Sequence, residues 1–138
     1  MNLTMKKTYN GPCSLVFEAW TVPEIIKKWF SPDGKWAVEI AEMNLSVGGR
    51  YRIEMRSPEN RTWTVYGEFK EIKVNKKLIY TWNTEDVKET LVSVDFKDLG
   101  NKTEVTLLHD LLPNQEQVDE HKYGWKGCMD NLSSKVLV

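Results

Sequence analysis

A strict alternation of apolar and polar residues, opening on a paired-glycine turn, constrains this chain more than any other feature. In Leu45-Ser-Val-Gly-Gly-Arg-Tyr-Arg-Ile-Glu-Met-Arg56, Gly48 and Gly49 make the turn, and Tyr51, Ile53 and Met55 then face one way while Arg50, Arg52, Glu54 and Arg56 face the other. A period of two means a strand with one buried and one wetted face, as in an antiparallel sheet. The alternation returns at about 35–45, 62–73, 77–84, 89–98 and 102–110. Short turns separate these segments: Val47-Gly-Gly49, Ser57-Pro-Glu-Asn60, Val74-Asn-Lys-Lys77 and Leu99-Gly-Asn-Lys102. Connections this short join neighbours, so six strands in a row predict an antiparallel meander.

Helical signals flank the meander. Residues 3–10 predict a first strand that ends at Gly11-Pro12. Pro12 suits the opening of a helix, where its missing N–H goes unmissed, and Val16, Phe17 and Trp20 recur at helical spacing over 13–21. A second short helix runs from Pro23 to Phe30, with Glu24 near its start and Lys27-Lys28 near its end. After Leu111-Leu-Pro-Asn114, Asn114 is placed to cap a helix over 115–136, whose apolar stripe holds Val118, Trp125, Met129, Leu132 and Val136. Gly124 and Gly127 thin that helix beside Trp125, which the sequence reads as room for close approach to the sheet. The order β-α-α-β6-α predicts one α+β domain over 1–138, a strongly curved antiparallel sheet wrapped around the long C-terminal helix.

Inward positions by period two are Val38 and Ile40; Tyr51, Ile53 and Met55; Trp63, Val65, Gly67 and Phe69; Val92, Val94 and Phe96; and Val105, Leu107 and His109. Over 77–84 the phase is open, because Leu78, Tyr80 and Trp82 compete with Ile79 and Thr81. Gly67 in mid-strand marks a bend or a close approach by another element.

Composition excludes some functions. A net charge of −1 gives no electrostatic reason for a nucleic acid or an anionic membrane as partner. No apolar run reaches the roughly 18 residues of a membrane span. The start, Met1-Asn-Leu-Thr-Met-Lys-Lys, leads into no apolar signal core, so the expected location is the cytoplasm. Cys13 and Cys128 are then read as two buried thiols rather than a disulfide, and the Asn-X-Ser/Thr triplets as chance matches. His109, His121, Cys13 and Cys128 lack the close paired spacing of zinc sites, and no metal or other cofactor is expected.

Particular stretches resemble the START-like helix-grip (SRPBCC) superfamily, and within it the branch related to the C-terminal domain of the activator of the ninety-kilodalton heat-shock protein's ATPase. They are Gly11-Pro-Cys-Ser-Leu-Val-Phe-Glu-Ala-Trp20, Pro23-Glu-Ile-Ile-Lys-Lys-Trp-Phe30, Val47-Gly-Gly-Arg-Tyr-Arg52, Tyr66-Gly-Glu68, Lys77-Leu-Ile-Tyr-Thr-Trp82, Thr103-Glu-Val-Thr-Leu-Leu-His109 and Gly124-Trp125 with Leu132. Together they run through nearly the whole chain in order. The resemblance implies a helix-grip fold with a cavity between sheet and terminal helix, in a superfamily whose members bind apolar molecules and include some cyclases. The chaperone activator carries a further N-terminal domain that finds no match here.

Six tryptophans call for large buried volumes or an aromatic-walled cavity. Trp29, Phe30, Tyr51, Met55, Trp63, Trp82, Phe96, Trp125 and Met129 are candidates to line an apolar pocket; the competing reading of each is plain core packing. His109, at an inward slot, is the one candidate acid or base, against a structural histidine bonded inside the core. His121, among Asp119, Glu120 and Lys122, reads as a solvated surface residue. The expected function is an intracellular binding module for a hydrophobic or aromatic small molecule. Alternatives are a protein-interaction or stress-response module, a homodimer formed through the outer sheet face or an edge strand, and a cyclase- or hydrolase-like enzyme using His109.

Overall fold

The computed structural model describes all 138 residues. Strand β1 (Leu3–Asn10) leads into helices α1 (Cys13–Thr21) and α2 (Pro23–Trp29). Strands β2 (Ala37–Met43), β3 (Arg50–Arg56), β4 (Thr62–Lys73), β5 (Lys77–Trp82), β6 (Thr90–Asp98) and β7 (Lys102–Asp110) follow, then helix α3 (Gln115–Lys135). All neighbours are antiparallel in the order β1-β7-β6-β5-β4-β3-β2. The meander is as the turn chemistry requires, and β1 closes against the last strand, with Leu3 opposite His109. The fold is α+β, a curled half-barrel of seven strands gripping α3.

The inner face of the sheet and the apolar stripe of α3 meet in one core of 30 buried residues. Val118, Trp125, Cys128, Met129 and Leu132 supply the helix side. Asn114 caps α3 by accepting the Gln117 N–H at 2.9 Å, satisfying one of the donors a helix N-terminus leaves free. Tyr9 on β1 donates its hydroxyl to the Met129 carbonyl at 3.0 Å, tying sheet to helix. Trp29 donates its indole N–H to the Ala19 carbonyl at 2.9 Å, which locks α2 onto α1. Phe17 and Trp20 of α1 then stack edge-on against Phe96.

Three local expectations need correction or resolution. The β2–β3 register shifts between Val38 and Ile40, so Val38, Ala41 and Met43 pack on the core and Ile40 does not keep the inward phase. On β5 the inward set is Leu78, Tyr80 and Trp82, all buried. The glycines of α3 make room for a loop rather than for the sheet: a Cβ on Gly127 would sit 1.6 Å from the Pro32 carbonyl oxygen. Gly67 does mark a close approach, since a Cβ there would lie 2.0 Å from the Thr81 carbonyl oxygen. Both cysteines are free thiols, Cys128 buried and Cys13 half-buried. No helix is long and apolar enough to cross a membrane.

Candidate functional site

A cavity of about 290 Å³ opens at one end of the half-barrel, on the N-terminal half of α3. Four chain segments wall it. The loop after α2 brings Phe30, Pro32, Asp33 and Trp36; the start of β4 brings Arg61 and Trp63. The end of β5 and the loop beyond it bring Trp82, Glu85 and Asp86, and α3 presents Gln117, Glu120, His121, Tyr123, Gly124, Trp125 and Cys128. Four of the six tryptophans thus meet here.

Each wall is held from behind. Asn131 on α3 donates to the Ser31 carbonyl at 2.9 Å, and Ser31 Oγ accepts the Trp36 N–H at 3.1 Å, which fixes the loop after α2. Thr84 Oγ1 accepts the N–H groups of Asp86 and Val87, setting the loop that carries Glu85 and Asp86. Ser57 Oγ accepts the Arg61 N–H at 3.0 Å and fixes the turn before Trp63. A wall built on such internal bonds is formed before anything enters it, so an occupant pays little for ordering it.

The cavity floor is a ring stack with a fixed hydrogen-bond order. Trp82 and Trp125 lie 4.9 Å apart between centroids, and Phe30 meets Trp125 edge-on at 6.0 Å. Trp125 donates its indole N–H to His109 Nδ1 at 3.1 Å, and His109 Nε2 pairs with Thr90 Oγ1 at 2.8 Å. Thr90 in turn donates to the Trp82 carbonyl at 2.7 Å. Trp82 donates its own indole N–H to His121 Nε2 at 3.2 Å, while His121 Nδ1 lies 2.8 Å from the Gln117 carbonyl. Carbonyls and indoles leave one choice of tautomer: His109 carries its proton on Nε2 and His121 on Nδ1. Both rings are neutral. Burial pushes His109 down to about 3, helped by the neighbouring His121, and burial also lowers His121 against the pull of Glu120 and Asp86.

Of the ten residues proposed from sequence, Phe30, Trp63, Trp82 and Trp125 line this cavity. Trp29, Met55 and Met129 are packed inside the core, and Phe96 is buried against α1. Tyr51 is also buried, its hydroxyl given to the Thr81 carbonyl at 2.6 Å, and burial raises it well above an ordinary tyrosine. His109 is fully buried behind Trp125 with both ring nitrogens engaged, so it brackets the two indoles instead of facing the open space. The interior between sheet and helix is filled by side chains, leaving an apolar gap of about 30 Å³ among residues that include Trp20, Trp29, Tyr51 and Tyr80.

His121 overturns the surface reading, for it is buried and its ring faces Trp82. The sequence carried a signal for it: Val118, His121, Trp125, Cys128 and Leu132 follow the 3-4-3-4 spacing of one helix face. Trp36, Glu85, Asp86, Gln117 and Glu120 were not singled out for a cavity: the first three stand on loops, which no periodicity marks, and Gln117 and Glu120 are polar residues beside the apolar stripe of α3.

Comparison with known proteins agrees with this architecture. The family model described as "Activator of Hsp90 ATPase homolog 1-like protein" matches residues 10–136. A crystal structure of a Chromobacterium violaceum protein superposes with a TM-score of 0.90 at 17% identity, covering 99% of this chain and 96% of that one. The AHSA1 protein of Silicibacter pomeroyi gives 0.85 at 18% identity, over 97% of this chain and 96% of that one. The AHSA1-like protein of Aeromonas hydrophila gives 0.82 at 22% identity, over 97% and 90% respectively. No curated protein matches the sequence.

Proposed function

The chain belongs to the Activator of Hsp90 ATPase homolog 1-like family, and from that premise we propose that it binds a small aromatic or hydrophobic molecule in the cavity on α3. The observation that carries this reading is the convergence of Trp36, Trp63, Trp82 and Trp125 from a loop, two strands and a helix on one preformed space. Core packing alone does not require four indoles around a void. At about 290 Å³ the space stands at the small end of ligand pockets, which run from roughly 300 to 1,000 Å³. Affinity would come from apolar burial, at about 25 cal/mol per Å² removed from water before ordering costs. The resemblance to the START-like superfamily, whose members bind apolar molecules, supports the same reading. Buried His109 and the doubly bonded His121 are set to hold rings in place, which favours binding over proton transfer to an occupant.

The test is native mass spectrometry of the protein purified from its own host, beside a Gly124→Met variant. Gly124 lines the cavity, and a Cβ there meets nothing nearer than Pro32 Cβ at 3.9 Å, so the longer side chain has room to fill the space. A bound mass present in the wild type and absent from the variant is the expected result. A protein that is empty in both forms, and takes up no aromatic probe, would overturn the reading.

A further inference from the structure

The cavity carries an excess of negative charge. Asp33, Glu85, Asp86 and Glu120 line it against a single basic group, Arg61, so its formal charge is −3 in a chain whose net charge is only −1. These four carboxylates are exposed, and none is in an ion pair; the seven ion pairs of the molecule lie elsewhere. The aromatic walls offer negative π faces, and a cation over an indole within about 6 Å is attracted by the ring quadrupole. The hydrogens of Trp82, Trp125 and His121 are already given to protein partners, and Arg61 is the one cationic donor on the walls against four carboxylates.

We propose that the ligand of this site is a small organic cation, a protonated amine or quaternary ammonium carrying an aromatic or alkyl group. The proposal rests on the cavity-binding reading above and narrows it. The apolar part would lie on Phe30, Trp82 and Trp125. The cationic head would face Glu85, Asp86 and Glu120 at the mouth. Such a field also raises the local concentration of cations and turns anions away.

The test is a matched pair of probes, phenyltrimethylammonium and its neutral carbon isostere tert-butylbenzene, titrated against tryptophan fluorescence and calorimetry. The cation is expected to bind at least tenfold more tightly. That ratio is expected to fall at least threefold in a Glu85→Gln, Asp86→Asn double variant, and also at high salt, since exposed carboxylates are screened. Loss of cation binding in Gly124→Met would assign it to this cavity. Equal or tighter binding of the isostere overturns the cation proposal and leaves the cavity-binding reading standing. Cation binding unchanged in Gly124→Met places the cation elsewhere and also overturns the proposal. Failure of both probes at millimolar concentration overturns it too, and the binding reading is then decided by the native mass measurement.

Discussion

Two glycines three residues apart on α3 should respond to the same substitution in opposite directions. Gly→Ala inside a helix ordinarily stabilises by about 1 kcal/mol, because alanine loses less backbone freedom on folding. Gly124 should show that gain, for its added Cβ makes only ordinary contact with Pro32 Cβ at 3.9 Å. At Gly127 the Cβ would stand 1.6 Å from the Pro32 carbonyl oxygen and 2.6 Å from its carbon, both backbone atoms. An ordinary contact needs about 3.4 Å, so the loop after α2 must retreat by well over an ångström or the helix must lift. Overpacking of this kind costs roughly 1–3 kcal/mol and sometimes more. The retreat also strains the Asn131–Ser31 bond that holds the loop, and so moves a cavity wall. Urea unfolding followed by tryptophan fluorescence should therefore place Gly124→Ala above Gly127→Ala by about 2–4 kcal/mol, with wild type between them. Equal stabilisation by both alanines would refute the packing of α3 on Pro32.

Acid should weaken the fold through His109. Its folded value of about 3 lies well below the unfolded 6.5, so above pH 6.5 both states are neutral and the contribution is fully present. Below pH 6.5 only the unfolded chain takes up the proton. Stability then falls by about 1.4 kcal/mol per unit, or roughly 3 kcal/mol from pH 7 to pH 4. A His109→Gln variant, compared by urea unfolding across that range, should lack this component; parallel curves would contradict it. The Cys128 thiol, pushed up to about 12 by burial, should stay unreactive toward a disulfide reagent at pH 8 in a Cys13→Ser background until the protein unfolds. Prompt modification of the folded protein would show that the thiol is reached from the cavity it borders.

Period-two alternation carried most of the sheet into view. It located β4 and β7 at their observed ends, because strands with one wet face advertise their phase at every residue. It failed at β2, where one extra residue between Val38 and Ile40 resets the phase, and a bulge leaves no compositional mark there. On β5 both faces are partly covered, Thr81 being buried beneath the Gly67 approach, so Thr81 and Trp82 could not be ranked from the pattern. The candidate site was half legible. Phe30, Trp63, Trp82 and Trp125 sit on or beside regular elements and are large enough to stand out. The carboxylates at the mouth, Glu85 and Asp86 after β5 and Glu120 on α3, carry no pattern in the sequence that brings them together. His121 was hidden by its charged neighbours in sequence, although its helical phase put it on the apolar face.

The central claim is that the space walled by Trp36, Trp63, Trp82 and Trp125 receives a ligand while Trp20 and Trp29 belong to the core. The six indole N–H resonances of an NMR spectrum report on each ring separately, once assigned by single substitutions. On titration with phenyltrimethylammonium, the four cavity indoles should shift with one common saturation curve and the Trp20 and Trp29 signals should stay in place. Saturable shifts confined to Trp20 and Trp29, or no saturable shift in any indole with this or a neutral aromatic probe in a protein that also carries no bound mass, would contradict the account.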